Sequence, residues 1–378
     1  MEIILLGFLI RISLAIIDVH FFPLPGGEFD AFSFNRVATE FSNHLDSGDS
    51  LGNFDYKHGW IYSIFIGYVY YIFGASNLLG SFLSCLAWLI SALVIRKIMI
   101  KLNYQKKNIY LALLIYVFLF PTSIIYTSLM LREAYLLLFS NLLLLFIVNL
   151  YLTDVYYHKI LNLIYFLLIS LILALFHKAG LIYIVSLLLF FTLFFLIKFA
   201  KIKNVLIIFN FFLLIFVFEY YGIWEKIFLT IKSYQLGHFE KFENTRALYY
   251  SIYEISLREY NLINFFTQFL KNIFNYFIQP TLFRISDFKD LPAILENNIR
   301  IFILIAVIYK IFTKIKIKNK NLFIILFLMY LLSEFVYAQA TVNWGTASRH
   351  HVPAMGYLVL LLFFPKSKKT SFKVNLKK

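Results

Sequence analysis

Cysteine is almost missing from this chain. The one residue, Cys85, falls inside an apolar run, so no disulfide can close within the chain and no thiolate metal site can be built. Acid is scarce as well, with 20 Asp and Glu against 35 Lys and Arg. Polar linkers, low-complexity tracts and internal repeats are lacking, and nothing marks off a separate soluble domain. The apolar runs do not alternate with polar residues, which excludes a transmembrane β-barrel. The first of them, Ile3 to Ile17, contains Arg11 and has no small-residue cleavage site, so a retained helix is expected rather than a removable signal.

What the chain does have is apolar surface: 61% hydrophobic residues, 20% aromatic, and a mean hydropathy of +0.78. A soluble domain of this length does not tolerate that composition. Stretches able to cross a hydrocarbon core of ~30 Å recur from end to end, which predicts an all-α, polytopic transmembrane helical bundle. The net charge of +15 would suggest nucleic acid in a soluble protein, but the basic clusters decide otherwise. They lie at Arg96 to Lys107, Lys198 to Lys203, Lys310 to Lys320 and Lys366 to Lys378, flanking the apolar segments as cytoplasmic loops do. A multi-pass protein of a bacterial inner (plasma) membrane is expected, with no nucleic-acid partner.

About ten spans are expected on this pattern, near residues 2–20, 76–97, 107–125, 133–151, 158–176, 181–199, 203–221, 297–315, 321–340 and 352–365, with both termini cytoplasmic. Residues 60–74 (WIYSIFIGYVYYIFG) are apolar enough to be another span, but counting them would put Arg96 to Lys107 outside. Their Trp and Tyr content suits the interface, so a helix lying on the outer surface is expected there. The chain then divides into a core with a first external loop at 21–75 (residues 1–221), an external region with an amphipathic helix (222–296), and C-terminal spans with a basic tail (297–378). In the external region Leu262, Phe266, Phe269, Leu270, Ile273 and Phe277 recur at helical spacing, opposite Asn264, Gln268, Lys271 and Asn275.

On this topology the polar residues other than lysine collect at the external side: Glu28, Asp30, Arg36, Arg132, Glu133, His177, Lys178, Glu334, Arg349, His350 and His351. A binding or catalytic cavity facing outward at headgroup level follows. Asp30 closes the rigid turn PLPGGEFD and precedes Phe34, Val37, Ala38 and Phe41 at helical spacing, so it suits a helix N-cap; it equally suits a general base. Glu28 reads as a second acid, a metal-binding carboxylate or a solvated loop acid. Arg132 and Glu133 are adjacent charges in an apolar stretch, either a local ion pair or a cavity lining in which Arg132 meets an anionic headgroup and Glu133 the acceptor. His177-Lys178-Ala-Gly180 forms a short turn, whose lysine either snorkels or neutralises a lipid phosphate. The segment Asn343 to His351 (NWGTASRHH) offers Arg349 and His350 for a phosphate or pyrophosphate cradle. Its two histidines are neighbours and so unsuited to one metal ion; a divalent metal elsewhere is left open, and no other cofactor is expected. Arg11, at the centre of the first span, must face the bundle interior, paired with an acid such as Asp18 or one from another helix.

These pieces in this order resemble the GT-C class of polyprenyl-phosphate-sugar-dependent membrane glycosyltransferases, closest to the aminoarabinose transferase and protein O-mannosyltransferase type. The matching stretches are Gly27-Glu-Phe-Asp30, Gly59 to Ser76 with its Phe73-Gly74-Ala-Ser76 ending, Ala92 to Lys101, Ser123 to Glu133, and Leu175 to Gly180. They cover residues 1 to about 200. The resemblance implies Asp30 as catalytic acid, Glu133 as second acid and Lys178 as a lipid-phosphate contact. Two departures stand out: Glu28-x-Asp30 replaces the usual Asp-Glu pair, and Lys57-His58-Gly59 replaces paired prolines. The phrase Gly345 to His350 is also similar to one in surface-polysaccharide (O-antigen) polymerases. The expected function is transfer of a sugar or oligosaccharide from a polyprenyl-(di)phosphate donor to a hydroxyl of a glycan or lipid-linked acceptor, with inversion. Surface-polysaccharide assembly, including repeat-unit polymerisation, is the expected setting. The rival is a lipid-linked oligosaccharide flippase, which would need charges at mid-membrane and repeated halves; Arg11 alone answers the first demand.

Overall fold

The computed structural model describes residues 1–25, 30–48, 54, 61–177, 180, 184, 187, 225, 229–230, 232–233, 261–281, 283, 291–313, 317–341 and 344–366. Every regular element among them is helical. Six helices are long and apolar enough to cross a membrane: α1 (Glu2–His20), α4 (Asn77–Lys101), α7 (Glu133–Leu152), α8 (Tyr156–Phe176), α10 (Leu291–Phe312) and α11, apolar over Lys320–Gln339. The remaining helices are α2 (Phe32–Asp46), α3 (Ile61–Phe73), α5 (Lys106–Phe118), α6 (Pro121–Tyr126), α9 (Leu262–Ile278), α12 (Trp344–His350) and, after a 3-10 turn at Val352–Ala354, α13 (Met355–Phe363).

Two of the ten expected spans take another form. The stretch 107–125 is two helices, because Pro121 has no N–H to continue α5 and instead opens α6. The stretch 352–365 is a 3-10 turn and a nine-residue helix in which Met355 to Leu361 are all buried. That segment is apolar because it is enclosed by α5, α7, α10 and α11, not because it meets lipid. The expected spans 181–199 and 203–221 lie outside the described residues.

Helix α7 is the hub, buried on almost every side against α4 and α8. At its middle Asn141 donates to Ser91 Oγ (2.6 Å) and to the Tyr116 hydroxyl (2.9 Å), tying α7 to α4 and α5. Gly356 of α13 leans on the same amide, and a Cβ there would lie 1.9 Å from Asn141 Oδ1. Between α1 and α4, helices α2 and α3 pack face to face outside the spans. Phe34, Ala38 and Phe41 of α2 are buried, as their spacing predicts, and Gly67 of α3 lets the two backbones close in: a Cβ would lie 2.8 Å from the Ala38 carbonyl oxygen. The 13 described residues of α3 make about 20 Å of apolar helix, shorter than the six candidate spans. The N-cap falls on Ala31, next to Asp30. Ser76 caps α4, its hydroxyl accepting from Leu79 N.

Arg11 is fully buried, but among the described residues no acid partners it. Its Nε donates to Thr127 Oγ1 (2.8 Å), its Nη1 to the Gly7 carbonyl (3.0 Å), and its guanidinium lies 3.5 Å from the Trp88 ring centroid. Asp18 instead accepts from Leu24 N (2.7 Å). A hydroxyl, a carbonyl and an aromatic face do for this cation what a carboxylate was expected to do.

The two ends of the bundle differ in charge. Tyr104, in the loop between α4 and α5, donates to the Leu360 carbonyl (2.7 Å); Lys318 N donates to the Pro365 carbonyl (2.9 Å); Lys101 donates to Asn149 near the end of α7 (2.6 Å). The described basic residues at 96–107, 310, 318 and 366 therefore gather at one end. Helices α7 and α8 run about 30 Å from there to the other end, where Glu133 and His177 lie.

Candidate functional site

At the end remote from the lysines, three residues far apart in sequence meet. Arg349, in the last turn of α12, is hydrogen-bonded through Nη1 to Asp30 Oδ2, at the approach to α2. Its Nε (2.8 Å) and Nη2 (2.6 Å) both reach Glu133 Oε1, in the first turn of α7. The three side chains are graded in exposure: Asp30 52%, Arg349 14%, Glu133 4%. Glu133 Oε2 is buried with no hydrogen-bond partner. Burial alone would lower the Arg349 guanidinium; the Glu133 and Asp30 carboxylates reverse that and hold it above its ordinary range, so it stays charged.

The other described candidates stand around this core. Arg132 lies with its guanidinium 5.8 Å from the Phe34 ring centroid, and its Nε is buried without a partner. Arg132 and Glu133 are sequence neighbours, yet the ion pair Glu133 forms is with Arg349. His177 follows α8 and packs edge-on against His350, ring centroids 5.8 Å apart. His350 stacks on Tyr337 at 4.7 Å and its Nδ1 shares a hydrogen bond with Thr341 Oγ1 (2.7 Å). Burial first, then Arg132 and Arg349, push His177 down to about 3, so the ring is neutral at ordinary pH. Beneath the ion pairs, Phe34, Tyr62, Phe65, Tyr135 and Phe176 form an aromatic floor with centroids 5.1 to 6.2 Å apart. Glu28 and Lys178 lie outside the described residues.

A second polar cluster lies deeper. Glu296 and Arg300 of α10, Glu334 of α11 and His351 are all buried. Glu296 Oε2 accepts from Thr122 N (2.9 Å), Ser123 N (3.3 Å) and the Thr122 hydroxyl, so it satisfies the first turn of α6 that Pro121 interrupts. Arg300 lies 4.0 Å from Glu296 Oε1 and donates to Asn297. His351 Nδ1 is 2.5 Å from Glu334 Oε2, and its ring lies 4.0 Å from that of Tyr276. Burial, with Arg300 adding to it, pushes His351 well below its ordinary value.

This cluster corrects the one-sided placement drawn from sequence. Glu334 and His351 are not at the mouth but inside the bundle, and Glu296 and Arg300 were not singled out at all. The readable signal was the i, i+4 pair Glu296 and Arg300 in a stretch otherwise rich in Ile, Leu and Phe; α10 begins at Leu291, which draws Glu296 inside. Adjacent residues of the NWGTASRHH segment also part company. Arg349 turns to Asp30 and Glu133, His350 to Thr341 and Tyr337, His351 to Glu334. The segment is no single cradle, and its two histidines hold no common ion. Nor do the paired carboxylates form a metal site: a guanidinium already spans Asp30 and Glu133. Among the described residues no three His, Cys, Asp or Glu stand close enough to hold a metal.

No family model, no curated protein and no solved structure matches this chain. What the geometry offers is a carboxylate at the water edge, two arginines, a neutral His177 packed on His350, and a cluster of aromatic rings.

Proposed function

We propose that the chain is a membrane glycosyltransferase of the GT-C kind, with its active site on the face away from the lysine-rich loops. The donor is a sugar or oligosaccharide on polyprenyl phosphate or diphosphate. The acceptor is a hydroxyl of a glycan or lipid-linked glycan in surface-polysaccharide assembly, with repeat-unit extension favoured over decoration by one sugar. One observation supports this reading: Asp30, Glu133 and Arg349, from three distant parts of the chain, converge at the end of the bundle away from the lysine-rich loops, beside the paired helices α2 and α3. About ten spans in a bacterial inner membrane belong to the same proposal, two of them within 181–221.

In the reaction, Asp30 accepts the proton of the acceptor hydroxyl as its oxygen attacks the anomeric carbon. The bond from that carbon to the phosphate oxygen breaks, and the phosphate departs with the electron pair, inverting the centre. Arg349, with Arg132 beside it, neutralises the leaving phosphate, which is already a good leaving group and needs no acid from the protein. Of the rings below, Phe65 is the exposed one and offers an apolar face to a sugar ring. The test is transfer from lipid-linked donor in membranes. Asp30→Asn should lose about 10²–10⁴-fold in turnover, the scale of a missing general base. Normal turnover would remove Asp30 from the chemistry.

A lipid-linked oligosaccharide transporter is the second reading, favoured by the buried Glu296, Arg300, Glu334 and His351 and by the break between α5 and α6. Reconstituted vesicles separate the two. A transporter moves labelled lipid-linked glycan across the bilayer with no new glycosidic bond, and a transferase makes the bond on one side.

A further inference from the structure

The ion pairs of Arg349 are unequal, and the inequality assigns them different work. Two of its N–H groups, Nε and Nη2, converge on one oxygen of a carboxylate that is 4% exposed. The third group, Nη1, meets a carboxylate that is 52% exposed. Breaking the first contact would strand a buried charge; breaking the second involves a carboxylate that water already reaches. We propose that the Nη1 arm of Arg349 is a phosphate subsite occupied at rest by Asp30, and that the donor's phosphate displaces Asp30 and so releases it to act as the base. Glu133 is then a positioning residue, the fixed anchor that keeps the guanidinium aimed while its outer partner changes. This rests on the glycosyltransferase reading.

Three observations support the exchange. Asp30 is hydrogen-bonded to the Arg349 guanidinium at rest, so its carboxylate is engaged there rather than turned to an acceptor hydroxyl. A phosphate offers the planar guanidinium fork the same geometry as a carboxylate, with more charge. Arg132 is the waiting second cation: its Nε is buried without a hydrogen-bond partner, and its guanidinium, like that of Arg349, acts on the His177 ring. At rest Arg132 and Arg349 balance Asp30 and Glu133. An incoming phosphate finds two arginines once Asp30 swings out, and the proton Asp30 then takes from the acceptor removes its charge. The base is thus unmasked only when donor is present, which guards the lipid-linked sugar against a free base and water.

The probe is a polyprenyl monophosphate, with the matching polyprenol as control, binding to the full chain in detergent. Asp30→Asn removes the resting competitor and should bind the phosphate about three- to tenfold tighter than wild type, the scale of one exposed ion pair. Arg349→Ala should lose the preference for phosphate over polyprenol. Glu133→Gln should weaken binding while Asp30 remains. Equal or weaker binding by Asp30→Asn overturns the exchange. If turnover of that variant is nonetheless lost, the base assignment stands alone; if wild type does not prefer the phosphate to the polyprenol, the glycosyltransferase reading falls too. Inorganic pyrophosphate and phosphatidylglycerol serve as competitors. Displacement by either at the same concentration as polyprenyl phosphate overturns the donor assignment, since the site would then be one for free anions or bulk headgroups.

Discussion

Two ion clusters in this protein are built from similar parts and meet different solvents. Asp30, Arg349 and Glu133 run from half-exposed to buried over the length of three side chains. Glu296, Arg300, Glu334 and His351 are enclosed throughout, and the carboxylate of Glu296 accepts three hydrogen bonds from one helix end. The enclosed cluster has nowhere to send a released charge, so its partners are fixed and its work is to tie α10 to the start of α6. The graded cluster has one edge in water, so a partner can leave and return. Similar residues give a brace in one place and an exchangeable contact in the other, and solvent decides which.

The comparison stands or falls first on which end meets outside water. In a Cys85→Ser background, made simple because Cys85 is buried and the chain has no other cysteine, Ser47→Cys beyond α2 should react with an impermeant thiol reagent from outside. Gln105→Cys, in the lysine-rich loop, should react only after the membrane is breached. The expected contrast is all or none, and outside labelling of Gln105→Cys would invert the bundle and place the graded cluster in the cytoplasm. The next largest effect belongs to the brace. Glu296→Ala leaves Arg300 without its acid and the first turn of α6 without its acceptor, and should destabilise by about 3–5 kcal/mol, read as unfolding in detergent or loss of intact protein. A variant as stable as wild type would mean that the enclosed cluster braces nothing.

Glu133→Gln tests the middle of the gradient. It keeps one oxygen for Arg349 but removes the charge opposite a guanidinium that is 14% exposed, so a loss of about 1–3 kcal/mol is expected in the same unfolding measurement. A cost as small as that of an exposed pair would show that water reaches Glu133 and that the anchor and the exchangeable arm are not distinct.

The sequence made the outer half of this picture readable and left the inner half hidden, for physical reasons. Phe34, Ala38 and Phe41 announced α2, and the apolar run of residues 60–74 announced a helix at Ile61–Phe73, because packing periodicity and hydropathy are local signals. Asp30, Glu133 and Arg349 were each recognisable as charges at the edge of apolar runs. That they touch is a tertiary fact: 216 and 319 residues separate Arg349 from its two partners. The amphipathic helix α9 was readable too, with Phe266 and Leu270 facing outward, while its polar Asn272 turns inward to Gln339 of α11 and accepts from Gln268. Residues 352–365 misled, since burial in a protein core and burial in lipid select the same side chains. Glu296 stayed hidden because the expected span began at 297, one residue after it, whereas α10 begins at Leu291.

The smallest effect is the most telling one. Asp30→Asn removes the charge from the exposed arm, and exposed ion pairs contribute about 0–1 kcal/mol, because water solvates both partners nearly as well and salt screens the rest. Its unfolding in detergent should therefore match wild type to within that margin, far below the loss expected for Glu296→Ala. The cap position of α2 falls on Ala31, and Asn caps about as well as Asp, so no helix-end penalty should intrude. Added salt should narrow even that margin for Asp30 and leave the Glu296 effect untouched, since screening acts over the water-filled edge and not inside the bundle. A loss of several kcal/mol in Asp30→Asn would make this pair a structural brace like the inner one. Stability unchanged with turnover lost would instead mean that the residue is kept for chemistry, at a place where the fold could do without it.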